Sequence, residues 1–544
     1  MPDATIRAVP SPLPHLPPAP SSGRSSRLGP FLALLYLYIP FLLFAIGWMR
    51  PVFSVPIVVL TALCLPHCYR VLPALWVPEC TRRNLLAAFL CAAILAVWLY
   101  GSGVGGFVWA NHDHLHRNTI FGLLVERPWP VTSAGVEGVP QDAPTRLLCY
   151  YVGFWLPAAA VAKATSLRIG FFAQWVWAYA GILLACYLLF ARFRRIPVWA
   201  VLVFILYSGA DSLGVALKNM HSAHPIPFWD WESHFENWAI YQYSAMTTQL
   251  YWVYNQAIPV WVATALLLDG IPDRIVLFVA ACLMVSSTLP FVGFCALAAF
   301  FALDRHLAGA SEEMGHGRPH LGQFIRSFVS VPNAVGVLCI GLPSFLFLTG
   351  NSAGAARCLF WWWTYPFFIL AELVLPMLPL WLGGRRDRAF WFVFLSLLAL
   401  PFFKIGPSVD ICMRVSIPFL FVVMVWTMDT LLAARRPGDR LPRALLLAVL
   451  ALGAFTPLHE ISRTVVNVRR HPDAAAYYAE ANTGRDQIFG YRLEDGNVPV
   501  VYINPSPDSF FPRVLARRPA NHRKAPDNSG KSPPGKSLAD GVSP

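Results

Sequence analysis

Three stretches of the sequence concentrate side chains that could do chemistry. The first, NHDHLHRN at 111–118, sets Asp113 among His112, His114, His116, Arg117 and Asn118. A carboxylate flanked by proton donors just outside an apolar block can be tuned as a general base. Two other readings exist for the same residues: an ordinary polar loop in headgroup water, or a divalent metal on His112, His114 and His116, whose spacing by two suits one face of an extended segment. The second stretch, PFWDWESHFENW at 227–238, combines Asp230, Glu232, His234 and Glu236 with Trp229, Trp231 and Trp238. Rings that stack on sugar faces beside carboxylates that accept hydroxyl hydrogen bonds make a sugar site, and the same mixture marks a membrane interface; both readings stand. The third, FKIGPSVDICMRVSIP at 403–418, holds Lys404, Asp410 and Arg414. Arg414 falls about one turn inside an apolar block, where an unpaired charge costs on the order of 2.5–3.5 kcal/mol at the bilayer centre and less near the interface. It therefore needs a partner, either Asp410 or a lipid phosphate, which a planar guanidinium binds well.

The elements that must carry these stretches are membrane helices. Of 544 residues, 56% are hydrophobic and only 13% charged, and the apolar residues come in long blocks. A backbone in hydrocarbon must satisfy its own hydrogen bonds, and the blocks lack the alternation of barrel strands, so the fold class expected is an all-α polytopic transmembrane bundle. Thirteen spans are predicted, at 31–48, 51–65, 85–100, 171–190, 196–207, 257–268, 275–285, 291–303, 328–348, 366–382, 389–403, 415–432 and 444–455. The net charge of +13 comes from arginine clusters between apolar blocks and in the tail, which anchor topology and attract anionic lipid; nucleic acid is excluded as a partner. The 11 cysteines fall mostly inside apolar blocks and form neither a disulfide framework nor a metal-type Cys-x-x-Cys.

Charge orients the spans. Arg24 and Arg27 before the first span and Arg82 and Arg83 before the third place both on the cytoplasmic side. The block 147–161 decides the parity of everything after it. Read as an interfacial or re-entrant segment, in keeping with its Tyr, Trp and Pro157, it leaves every later arginine cluster inside. The expectation is an N-terminus inside and a C-terminus outside, in a multi-pass protein of the cell membrane. Residues 1–30 read as a disordered leader and 31–457 as the bundle, with extracytoplasmic loops at 110–170, 210–256, 350–365 and 404–414. Residues 458–516 read as a small extracytoplasmic region and 517–544 as a disordered tail. The reactive residues then crowd one face, together with Asn351 and the Trp361, Trp362 and Trp363 belt, as for an active site facing the outer leaflet. GSGVGG, at the end of the third span, lacks the flanking strand and Lys-Ser of a phosphate loop and reads as a close-packing element. Glu372, inside the tenth span, is expected to face the bundle interior with a hydrogen-bond partner and a structural role.

With these residues in place the chain resembles the C-type superfamily of glycosyltransferases, polytopic enzymes that take sugars from polyprenyl-phosphate donors. The features that carry the resemblance are Asp113 in the first large outer loop, the aromatic and Pro-containing LLCYYVGFWLPAAAVAK after it, the basic span end YLLFARFRR, and Asp211 in YSGADSLGV at the outer end of a short span. The resemblance covers roughly 85–268 and, more loosely, the bundle to 455. The family often shows paired acids in the first loop, whereas here Asp113 stands alone among histidines. The resemblance implies a transferase with Asp113, Asp211, Asp230 and Glu232 as catalytic candidates. The substrate-binding candidates are His112, His114, His116, Arg117, Asn118, Tyr150, Tyr151, His234, Lys404, Asp410 and Arg414. Asp113 would deprotonate an acceptor hydroxyl, which inverts the anomeric carbon, while Arg414 or Lys404 meets the departing phosphate. The partners implied are a polyprenyl-phosphate sugar donor, an envelope glycan, lipid or protein acceptor, and membrane lipids, with no cofactor. The competing classes are a transporter or lipid-linked sugar flippase, and another envelope enzyme such as a polymerase or acyltransferase.

Overall fold

The computed structural model describes residues 24–142, 145–221, 225, 227, 234–313, 321–350, 356–358, 364–405, 410–433, 440–472, 488, 503–504 and 509–517. Asp230, Glu232, Trp229, Trp231, Asn351, the Trp361–Trp363 belt, the leader before residue 24 and the tail beyond 517 lie outside the described residues. The chain forms a helical bundle, and among the described residues ten helical stretches are long and apolar enough to cross a membrane. They are Leu28–Trp48, Pro51–Val71, Arg82–Gly101, Leu167–Phe193, Val198–Met220, Thr288–Ala308, Val331–Leu348, Tyr365–Leu382, Ile411–Leu432 and Arg440–Arg470.

Each predicted block is helical, but three are not such spans. α1 (Leu28–Trp48), α2 (Pro51–Val71), α3 (Arg82–Gly101), α4 (Asp113–Glu126), α5 (Leu156–Ala164), α6 (Leu167–Phe193), α7 (Val198–Leu206), α8 (Asp211–His221) and α9 (Met246–Leu268) follow in order. α9 starts well before the expected 257 because its first half, with Thr247, Thr248, Gln249, Asn255 and Gln256, is polar. All five are buried within protein, where polar groups are tolerated that lipid would reject. Trp98 Nε1 donates to Thr247 Oγ1 at 3.0 Å and Trp261 Nε1 to Gln249 Oε1 at 2.9 Å. α10 (Asp273–Leu283) has 11 residues, about 16 Å of helix, and 388–402 is likewise short. The contested block forms the short apolar helix Val152–Ala164, below the roughly 20 residues of an upright crossing.

Helix starts follow local chemistry. Thr81 caps α3, its hydroxyl accepting from Asn84 N at 3.2 Å; Ser166 caps α6 from Ile169 N at 3.3 Å; Asp387 accepts from Phe390 N at 2.8 Å. Each cap fills a donor the first turn leaves empty.

The arginine clusters meet at one end of the bundle. There Ser25–Ser26 pairs antiparallel with Leu75–Trp76, Arg192 lies 3.6 Å from Asp429, and Arg195 donates to Leu432 O at 2.9 Å. Arg305 pairs with Asp273, and Arg388 with Asp304 at 3.3 Å. At the other end Trp48 packs on Trp129 at 5.2 Å, and Leu147–Leu148 pairs with Ile503–Asn504. Arg50 Nε donates to Ala516 O at 2.9 Å and Arg517 N to Trp48 O at 2.7 Å. The described part of the C-terminal region is thus a strap laced across the C-terminal end of α1.

The Gly-rich end of α3 is a turn, not only a packing notch. Gly103, Gly105 and Gly106 have φ of +80°, +91° and +69°, a region where a Cβ is strained. A Cβ at Gly103 would also collide with Ala110. This turn reverses the chain from α3 into the segment that carries Asp113. Gly103→Ala is therefore expected to lose at least about 1–2 kcal/mol and to lower the detergent-solubilised melting temperature; an unchanged melt would remove the turn from the stability argument.

Candidate functional site

Asp113 is the first residue of α4, where the positive end of the helix dipole favours a carboxylate. One turn on, Arg117 Nη2 donates to Asp113 Oδ2 at 3.0 Å; the arginine side chain is 5% exposed and the carboxylate 43%. Burial raises the Asp113 carboxyl, but the guanidiniums of Arg117 and then Arg414 outweigh it and hold the group below the ordinary carboxylate range. Arg414 arrives from a π-turn at Ile411–Val415. Its Nη1 donates to Tyr151 Oη at 2.6 Å, and its Nη2 lies 3.1 Å from Asp410 Oδ1. Tyr150 and Tyr151 are hydrogen-bonded to one another with ring centroids 3.6 Å apart. Asp113, Arg117, Tyr150, Tyr151, Asp410 and Arg414 therefore form one cluster. Arg117 Nε and Nη1 and Arg414 Nε are buried without a hydrogen-bond partner among the described residues. A site with unspent guanidinium donors suits an oxyanion.

The histidines divide. Helical winding sets His112 and His116 on one face, ring centroids 5.8 Å apart, and turns His114 inward, where its Nε2 lies 2.8 Å from Tyr251 O. The extended metal-binding arrangement of all three is thereby replaced by a helix that separates them. Burial, then Arg117, lowers His114 to about 4, so it is neutral at physiological pH. His116 is lowered by burial and then by His112. Asn118 is buried in α4. Among the described residues no group of three or more His, Cys, Asp or Glu is arranged to hold a metal ion.

A second polar cluster lies alongside. His234 Nδ1 pairs with Glu460 Oε1 at 2.7 Å and its Nε2 lies 3.6 Å from Glu236 Oε2. Ala245 N donates to Glu236 Oε1 at 2.8 Å, and Trp252 Nε1 to Glu460 Oε2 at 3.0 Å. Arg463 Nη1 donates to Glu460 at 3.0 Å and to Asn111 Oδ1 at 3.2 Å, with Trp109 and Trp252 rings 5.7 and 5.6 Å from its guanidinium. Asn111 stands two residues before Asp113, so this network anchors the entry to α4. Burial works against the His234 imidazolium, but the Glu460 and Glu236 carboxylates outweigh it and push the group up to about 10.

Asp211 is not on an outer loop. It is 2% exposed and accepts from Ser208 Oγ at 3.2 Å, Trp238 Nε1 at 3.1 Å and Thr456 Oγ1 at 3.1 Å. Glu372, on a π-turn at Leu370–Val374, is buried as expected and lies against Gly209, where a Cβ would clash with it; its carboxyl is hydrogen-bonded to that of Asp211. Lys404 sits on the short strand Phe403–Ile405, opposite Arg357.

Glu460 and Arg463 escaped sequence reasoning, which placed a boundary at 457 inside a helix that continues as Phe455–Arg470. The signal was present: Thr456, His459, Glu460, Arg463, Thr464 and Asn467 follow helical spacing, and all six are buried. No family model matches the chain, and no curated protein matches it.

Protonated His234 contributes stability that is complete below its unfolded value of 6.5 and is lost as pH rises through about 10. The melting-temperature gap between the parent protein and His234→Gln should be widest below pH 6.5, shrink above it and close towards pH 10; a gap independent of pH would refute the ion pair. Glu460→Gln strands two buried cations and is expected to cost about 3–5 kcal/mol, read by the same melts.

Proposed function

We propose that the chain is a multi-pass glycosyltransferase of the cell membrane, N-terminus inside, that moves a sugar from a polyprenyl-phosphate donor to an envelope acceptor on the extracytoplasmic face. The observation that carries this reading is the nearness of Asp113 to Arg414, remote in sequence: Arg117 holds Asp113, Tyr151 holds Arg414, and the two pairs lie within electrostatic reach of one another. Asp113 takes the proton of an acceptor hydroxyl as that oxygen bonds to the anomeric carbon. The bond from this carbon to the phosphate oxygen breaks on the opposite face, inverting the centre, and its electron pair stays on the phosphate. Arg414, with the spare donors of Arg117, meets the growing negative charge. Helices and hydrogen-bonded partners hold both groups before substrate arrives, which is where orientation lowers the barrier. His234, Lys404 and Asp211 serve as second-rank contacts or supports, and no cofactor is invoked.

One observation favours a transporter instead: the buried carboxyls of Asp211 and Glu372 lie in broken membrane helices, where coupling sites of transporters are found. Flux of a labelled polyprenyl-phosphate sugar across vesicles lacking any acceptor separates the two, because movement without transfer supports transport.

Asp113→Asn is expected to reduce transfer by about 10²–10⁴-fold with normal membrane insertion, assayed by mass analysis of product in membrane vesicles; parental activity in this variant excludes Asp113 as the base. The base works ionised, and its titration is held below the ordinary range, so activity should not depend on it near neutral pH. Arg117→Gln releases Asp113 upward, and the acid limb of the rate profile should move to higher pH.

A further inference from the structure

At the basic end of the bundle, remote from Asp113, α3 and α6 part to leave an apolar groove of about 160 Å³. Small residues line it, Cys91 and Ala92 on α3 and Ala191 on α6 in its floor and Ala88 at the exposed rim, and Trp76 and Phe190 are among the larger residues around it. α3 is one of the least buried spans, and Ala88, in the lining, is exposed, so the groove opens on the surface of the bundle. A cavity of this size takes a guest on the order of a benzene ring, which is a stretch of one hydrocarbon chain, not a whole lipid.

The charge around the groove specifies the rest of the guest. Arg82 and Arg83 open the first turn of α3, on the same helix as Ala88. Arg194 follows the end of α6, three residues from Ala191. Arg24 O accepts from Val77 N at 2.9 Å, which sets Arg24 beside Trp76 and Pro78 of the lining. All four arginines are exposed. Glu79, and Asp269 within electrostatic reach of the lining residue Tyr187, are acids at this end, and against four arginines the balance stays positive. An apolar slot ending at exposed guanidiniums matches an amphiphile with one chain in the slot and an anionic phosphate headgroup at the surface.

We infer that this groove is a binding site for one anionic phospholipid of the leaflet at the basic end. The inference does not depend on the proposed transferase activity.

The test uses the full chain in detergent, stripped of co-purified lipid, titrated with phosphatidylglycerol or with phosphatidylcholine of the same chains and followed by native mass spectrometry. One phosphatidylglycerol should bind in preference, with affinity falling as salt rises. Arg82→Gln with Arg83→Gln should weaken it by about fivefold per arginine. Ala92→Phe fills the floor and should abolish the specific binding while leaving the protein monodisperse. Should that variant misfold, Ala88→Phe at the exposed rim serves the same purpose. Equal binding of phosphatidylcholine, no effect of the two arginine changes, or undiminished binding with the floor filled would each overturn the inference.

Discussion

A guanidinium taken out of water must meet a carboxylate or a ring of dipoles, and most of the architecture at the Asp113 end of the bundle answers to that requirement. Arg117 has Asp113, Arg414 has Asp410 and Tyr151, and Arg463 has Glu460, Asn111 and two tryptophan faces. Isolated, each charge would cost several kcal/mol; paired, each becomes a bolt between segments remote in sequence. The tie from Arg414 to Tyr151 crosses 263 residues and that from Arg463 to Asn111 crosses 352. Because the partners come from different helices, the geometry around Asp113 depends on the whole bundle being assembled.

The two clusters differ in what they leave unspent. Around His234 the ionised groups saturate one another: Glu460 accepts from His234, Trp252 and Arg463, and Glu236 accepts from Ala245 N and Gln242. Such a network rigidifies without offering a site. Around Asp113 the guanidiniums keep buried donors in hand and the carboxylate keeps nearly half its surface. The first arrangement supports and the second can act. The strap formed by 503–504 and 509–517 adds a third restraint, residues 503–504 pairing with Leu147–Leu148, immediately before Cys149 and the two tyrosines.

Much of the scaffold was legible in the linear sequence. Hydrocarbon imposes a simple rule, long apolar runs in hydrogen-bonded helices, and every predicted block is helical. The rule misjudges elements that protein surrounds. α9 is buried along almost its whole length and so tolerates a polar half that hydropathy reads as loop. The helix Phe455–Arg470 carries a polar stripe that reads as the end of the membrane domain. An apolar run that ends before Asp211 reads as a span with the acid on a loop beyond it, whereas α8 continues the same stretch, Val198–Met220, and Asp211 is closed against Trp238 and Thr456.

Composition and periodicity alone determined that the chain is a helical membrane bundle and that its reactive residues fall in a few short stretches, because transfer from water to hydrocarbon is a property of local sequence. Which of those residues meet was decided only by tertiary structure. Electrostatic and hydrogen-bond energies act over a few ångströms between groups hundreds of residues apart, and a linear sequence carries no measure of that distance. His114 and Asp113 are neighbours in sequence, yet one is turned in as a neutral prop and the other out as a carboxylate between two arginines. The turn of a helix and the packing of its far neighbours made that difference.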